Sequence, residues 1–154
     1  MPSLAIIDRL MYEVRRASLD IPDSDIHLVP AIMWVHASKP WEVQVAITDY
    51  TYGSRDGRLR HEQFGVIIGL IQKIRLDYSG RYDIALTHED RSLFKLAEAV
   101  VDQLDLNRLN DGENDLLLQP LHIVRQTDIQ TNKRYPGVLI KELLFRTGTI
   151  EAAD

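Results

Sequence analysis

The chain has 154 residues, 45 % of them apolar and 27 % charged, with a net charge of −5 and no cysteine. That is the composition of an ordinary globular domain, able to bury roughly 68–70 % of its unfolded surface without a disulfide or structural zinc. It excludes thiolate chemistry outright, and the acidic balance argues against a protein that coats nucleic acid, although a local basic patch is still possible.

Met1-Pro2-Ser3 lacks the basic start of a signal peptide, and Asp8 and Arg9 arrive too early for an apolar leader. The longest apolar run, residues 64–71, falls far short of the ~18–20 needed to span a bilayer, so the expectation is a soluble protein made inside the cell with no membrane contact. All of 1–154 reads as one domain, folded over 1–150, with a frayed tail at 151–154.

Ser3 is placed to cap a helix running to about Ser18, with Ile7, Leu10, Met11 and Val14 forming one apolar stripe. Asp8, Arg9, Glu13, Arg15 and Arg16 fall mostly outside that stripe. Ile21-Pro22-Asp23-Ser24-Asp25 turns the chain, and residues 26–29 and 32–36 are short extended pieces divided by Pro30. A strand interrupted in this way belongs at a sheet edge. After Lys39-Pro40, the residues Trp41, Val43, Val45 and Ile47 alternate with Glu42, Gln44, Ala46 and Thr48, which is strand spacing.

Residues 64–71 are apolar on both strand faces: Phe64, Val66, Ile68 and Leu70 on one, Gly65, Ile67, Gly69 and Ile71 on the other. That pattern marks a central strand covered from both sides. The stretch 75–85 is polar, with a turn at Tyr78-Ser79-Gly80. Thr87 then caps a helix start through His88-Glu89-Asp90, and Leu93, Phe94, Ala97, Val100, Val101 and Leu104 give the following helix a broad apolar face. Residues 105–115 form an acidic connection. Segments 116–127, broken by Pro120, and 138–145 pair as an antiparallel hairpin around Tyr135-Pro136-Gly137. The order predicts an α+β fold, with a mostly antiparallel or mixed sheet of four to five strands and two main helices packed on one face.

The candidate chemistry is thin. His61-Glu62 with Asp49, and His88-Glu89-Asp90 with Asp83, are the groupings worth weighing as metal sites, but neither has recognised ligand spacing. Neighbours on a strand point to opposite faces, and acids at a helix start serve the dipole. Ser54 beside Gly53 and Ser79 beside Gly80 have turn character rather than nucleophile-elbow context. Gly53, Gly57, Gly65 and Gly69 are too scattered to cradle phosphate. The expectation is a non-enzymatic chain with no catalytic residue, metal or cofactor. Trp34 and Trp41 read as core or sheet-edge packing. The acidic residues Asp102, Asp105, Asp111, Glu113 and Asp115 read as a solvated helix end and loop, or as a surface that repels a passing duplex.

The loop at residues 49–62 stands apart. Hairpin connections usually run to about 2–5 residues, and those beyond roughly 12 are uncommon unless they bind something. This one joins two convincing strands and carries Tyr50, Tyr52, Arg55, Arg58 and Arg60, residue types enriched at protein interfaces. Its three acids offset its three arginines, so a protein partner fits better than a nucleic-acid backbone. The plainer alternative is a long solvated hairpin tip.

This layout resembles the tail terminator (tail completion) proteins of long-tailed bacteriophages: an N-terminal helix, strands joined by a long polar loop, an amphipathic helix over 91–104, and a closing pair at 116–127 and 138–146. The resemblance spans Leu4 to Arg146 and includes the Asp90-Arg91-Ser92-Leu93-Phe94 helix start and the Leu144-Phe145-Arg146-Thr147-Gly148 ending. The Pro-interrupted stretch 26–36 is longer than the family pattern before the first main strand. The resemblance implies a homo-hexameric ring in the virion neck, assembled in the host cytoplasm, that caps the tail tube, stops its polymerisation and offers the head-docking surface. Its partners would be the tail tube protein and a head-completion or connector protein, with DNA passing through the ring without specific binding. Tyr52, Arg55, Arg58 and Arg60, with Tyr50 beside them, would serve ring and tube contacts. The alternatives are a head-closure or head–tail adaptor protein of the same neck and, from another class, a small metal-dependent enzyme using His88, Glu89 and Asp90.

Overall fold

The computed structural model describes residues 2–18, 20–35, 40–51, 55–56, 59–60, 62–73 and 93–147. Helix α1 (Leu4–Ala17) opens on the Ser3 cap, whose side chain accepts from the Ile6 N–H, and closes at Ser18. Arg15 and Arg16 in its last turn oppose the negative end of the helix dipole. Ile7, Leu10, Met11 and Val14 are buried as the spacing predicts, and Ile6 joins them.

Glu13 departs from the expected pattern, since it is buried in the seam between the helices rather than solvated. Arg9, one turn earlier, forms an ion pair with it at 2.9 Å. Gln103 of the second helix, α2 (Leu93–Leu104), donates its side-chain amide to the same carboxylate. A carboxylate can be buried there because both its oxygens are engaged.

The turn after α1 is a single 3₁₀ turn at Asp23–Asp25, and strand β1 (Ile26–Leu28) follows. β1 lies at the sheet edge, as Pro30 suggested, and runs parallel to β2 (Trp41–Thr51). Residues 32–35 form no strand. Gln44 of β2 instead stands in for a neighbouring strand: its amide oxygen accepts from the Met33 N–H at 2.8 Å and its nitrogen donates to the Met33 carbonyl at 3.2 Å.

β5 (Gln63–Lys73) is the centre of the sheet, antiparallel to β2 on one side and to β8 (Val138–Arg146) on the other. β6 (His122–Gln126) forms the far edge, giving the order β1-β2-β5-β8-β6, and β7 (Gln130–Thr131) pairs separately with β8. Among the described residues the main sheet therefore has six strands, one more than the upper expectation of five, because β7 is a two-residue strand too short to register as a periodicity.

Both helices cover one face. Val43, Val45, Phe64, Val66, Ile68, Leu70, Leu139, Leu143 and Phe145 from the sheet form a single core with Leu10, Val14, Val100 and Leu104 from the helices. The opposite face carries a smaller cluster of Ile71, Val138 and Ile140, covered by Trp34, Val35 and Tyr135. Trp34 stacks on Tyr135 with centroids 6.0 Å apart, a packing role, as its setting suggested. Gly69 makes this cover possible: a Cβ there would stand 2.8 Å from Ile32 Cγ2.

The region after α2 is more ordered than a solvated acidic loop. Leu109 and Leu117 are fully buried anchors, and Asn107 bonds to both Gln103 and Leu109. The extended piece expected from residue 116 begins only at His122, because residues 116–121 fold back to drop Leu117 and Leu121 into the core. The turn expected at residues 78–80 and the helix start at 87–92 lie outside the described residues.

Val66→Asp or Ile68→Asp should abolish cooperative thermal unfolding followed by circular dichroism. Both side chains have no exposed surface, and an unpaired carboxylate at either site costs several kcal/mol, on the order of the whole stability of a domain.

Candidate interaction surface

Two eleven-residue strands end at the 49–62 loop, and its base is clamped from three directions. β2 stays in regular register with β5 through Thr48–Gly65, then shifts before Thr51 pairs with Gln63. Asp49, within that bulge, has a left-handed backbone at φ 51°. Such a conformation is uncommon outside glycine, though aspartate tolerates it better than most residues. The bulge redirects the strand as it leaves the sheet.

Beyond the bulge, the Tyr50 hydroxyl donates to Glu62 Oε1 at 3.0 Å, tying the two legs of the loop together. The Tyr50 ring is half-buried and tilts against Phe64 at 6.4 Å. Thr147, just past β8, gives the second clamp. Its hydroxyl accepts from the Phe64 N–H at 3.0 Å, and its own N–H donates to the Phe64 carbonyl at 3.0 Å. The third is an exposed ion pair across the sheet, Arg146 to Asp49 at 3.5 Å. It adds little energy at that exposure but shares the location.

Within the loop, β3 (Arg55–Asp56) and β4 (Leu59–Arg60) pair antiparallel as a two-stranded ribbon, with Arg55 opposite Arg60 and Asp56 opposite Leu59. The connection is thus a secondary ribbon on a fixed base. Of the five residues marked from sequence, Tyr50 belongs to the base, and Arg55 and Arg60 are brought together as ladder partners. Tyr52 and Arg58 lie outside the described residues. Thr147 was not marked from the sequence, and nothing in its local pattern could have shown that it bonds 83 residues away.

Of the two metal groupings, only Asp49 and Glu62 fall among the described residues. Glu62 turns to Tyr50 and Asp49 to Arg146, while His61, Asp83 and His88-Glu89-Asp90 lie outside the described residues. Among the described residues no three His, Asp or Glu side chains are placed to hold a metal ion. Nor is any described helix long and apolar enough to cross a membrane.

A second surface feature is the acidic turn after α2. Asp111 Oδ1 accepts from the Glu113 N–H at 2.9 Å and the Asn114 N–H at 2.8 Å, and Asn110 bonds to Asp115 at 2.9 Å. The backbone bonds from Asn114 and then Glu113 hold the Asp111 carboxyl below its ordinary pKa, with a smaller attraction from Arg9. The turn therefore presents a fixed negative tip.

No family model matches the sequence, and no curated protein does. Among solved structures, the chain is similar to one described as belonging to the virion of native gene transfer agent (GTA) particle. The two are 15 % identical, superpose with a TM-score of 0.55, and match over 94 % of this chain and 97 % of that one. At this identity the likeness is one of fold, and it runs almost end to end.

Tyr50→Phe should lower stability by ~1.5–3 kcal/mol, the usual cost of losing a hydrogen bond to a charged acceptor, read as a lower denaturant midpoint with unchanged slope. Replacing residues 53–60 with a short turn should leave a cooperatively melting domain, because the clamps lie outside the excised segment. Loss of the cooperative transition would show that the ribbon is structural.

Proposed function

We propose that this is a structural protein of a phage-like virion and, more specifically, a tail terminator. It would form a hexameric ring that caps the tail tube, stops its growth and presents the surface on which the head docks. The observation that carries this reading is the near end-to-end fold likeness to a chain of a gene transfer agent virion. Two features of the chain agree with it. A ribbon clamped to the end of a rigid sheet suits contact between large rigid bodies, since a preorganised element loses little freedom on docking. The acidic balance, with its fixed negative turn, suits a subunit past which DNA slides without adhering.

In this reading Tyr50 sets the ribbon's base, and Tyr52, Arg55, Arg58 and Arg60 make the contacts to neighbouring subunits and to the last ring of the tube. Mixing the purified protein with polymerising tail tube protein tests it. Tubes should become shorter as protein is added, with six-fold rings at their ends in electron micrographs. Binding to connector particles with no effect on tube length would point instead to a head-closure protein. The 53–60 replacement should fold yet lose at least tenfold in tube-end binding, equivalent to about 1.4 kcal/mol.

A further inference from the structure

The β3–β4 ribbon sets two like charges against each other. Arg55 is the ladder partner of Arg60, and ladder partners share one face of a ribbon with Cβ atoms about 4.5–5.5 Å apart. Like charges placed directly opposite weaken such a pair. The neighbouring rung, Asp56 with Leu59, belongs to the other face, because successive residues of a strand alternate. Asp56 is therefore not placed between the two arginines.

Helix α2 holds the reverse arrangement. It buries Leu93, Ala97, Val100 and Leu104 and leaves Glu98 and Asp102 exposed, four residues apart. Side chains so spaced stand about 5–6 Å apart at Cβ, and like charges there destabilise a helix. Asp102 also lies in the last turn, where it opposes the helix dipole and no basic residue offsets it. Lys95, the one basic residue of α2, lies a turn before Glu98 and two turns before Asp102. Neither acid has an ion pair or side-chain hydrogen bond among the described residues. Apolar side chains flank the acidic stripe: Phe94, 52 % exposed, a turn before Glu98, and Leu106, 66 % exposed, just past the helix.

We infer that the Arg55–Arg60 rung of one copy docks on the Glu98–Asp102 stripe of a second copy. This rests on the ring reading above and names the surfaces that would close the ring. The two pairs are opposite in sign and similar in spacing, so each guanidinium can meet one carboxylate in the two-bond geometry that arginine favours. Each pair is also repulsive when alone, and docking one on the other relieves both. A nucleic-acid backbone would relieve the arginines and leave the acids facing each other. The ribbon continues β2 and β5, whereas α2 lies against β5, β8 and β6, so the two surfaces are different parts of the chain. Such a contact runs head to tail and closes into a ring when the rotation between copies divides a full turn.

The test is a charge exchange in the full chain, read by native mass spectrometry in solution and by electron microscopy on tube ends. Arg55→Glu with Arg60→Glu should leave single subunits wherever the unmodified protein forms rings, and Glu98→Lys with Asp102→Lys should do the same. Mixing the two double variants in equal amounts should restore rings of alternating subunits, because each altered ribbon then meets an altered helix. Misfolded chains could not give that rescue. Asp102→Asn alone should weaken association roughly threefold, the usual worth of an exposed ion pair. It should also raise the subunit's own melting temperature, since it removes a charge that opposes both Glu98 and the helix dipole. A residue that merely supports the fold would lower both. Rings formed by either double variant alone, or no recovery on mixing, would overturn the inference while tube capping by the unmodified protein upholds the ring reading. So would a ribbon variant that keeps its rings and loses only tube ends or a short DNA duplex, since the arginines would then belong to those partners. An unmodified protein that remains single and ignores tube ends would overturn both.

Discussion

The ladder joining β2, β5 and β8 is the constraint on which everything else hangs. Nine consecutive partners from Gly65–Arg146 to Lys73–Val138 fix β8 against β5, and eight from Trp41–Gln72 to Thr48–Gly65 fix β2 on the other side. Register of this length allows no slip, since a shift of one residue would turn Val66, Ile68 and Leu70 away from the helices. The helices then have a single way to pack, and the buried Glu13 with its Arg9 and Gln103 partners sets the orientation of α1 against α2.

The same ladder makes the 49–62 loop more than a tip. β5 begins one residue after Glu62, and β8 ends one residue before Thr147, so the strand ends converge where Tyr50, Glu62, Phe64 and Thr147 interlock. The rigid sheet is carried outward through hydrogen bonds to the root of the β3–β4 ribbon. A long hairpin without these clamps would have to be ordered by its partner on binding, at an entropic cost.

Much of this order was legible in the sequence because it is periodic. The 3.6-residue spacing of Ile7, Leu10, Met11 and Val14 and the two-faced apolar run at 64–71 report burial directly, and both behave as they read. Parts fixed by single side chains in distant partners were not legible. Gln44 reads as the polar half of an alternating strand, yet it holds residue 33 as a backbone would. Glu13 reads as a solvated charge, and only the arrival of Gln103, 90 residues later, explains its burial. The acidic run after α2 reads as loop because its anchors, Leu109 and Leu117, are isolated leucines with no period to flag them. For the candidate surface, composition singles out the segment but says nothing of its form. Arginines 55 and 60 are five residues apart in sequence and partners only once a ribbon forms.

The sheet's edges bear on how such a molecule associates. An open sheet invites strand addition at both ends unless the edges are spoiled. Here β1 offers only three residues, and β6 is interrupted between Ile123 and Arg125, where the register with β8 shifts. Among the described residues, neither edge provides a long, regular row of backbone donors and acceptors. Strand-to-strand growth into open-ended aggregates is therefore disfavoured on both sides. Any association would then fall to side chains rather than to backbone pairing at the edges. Contacts of that kind depend on charge and shape at fixed positions, so they can stop at a closed ring, which an unbroken β-edge could not enforce.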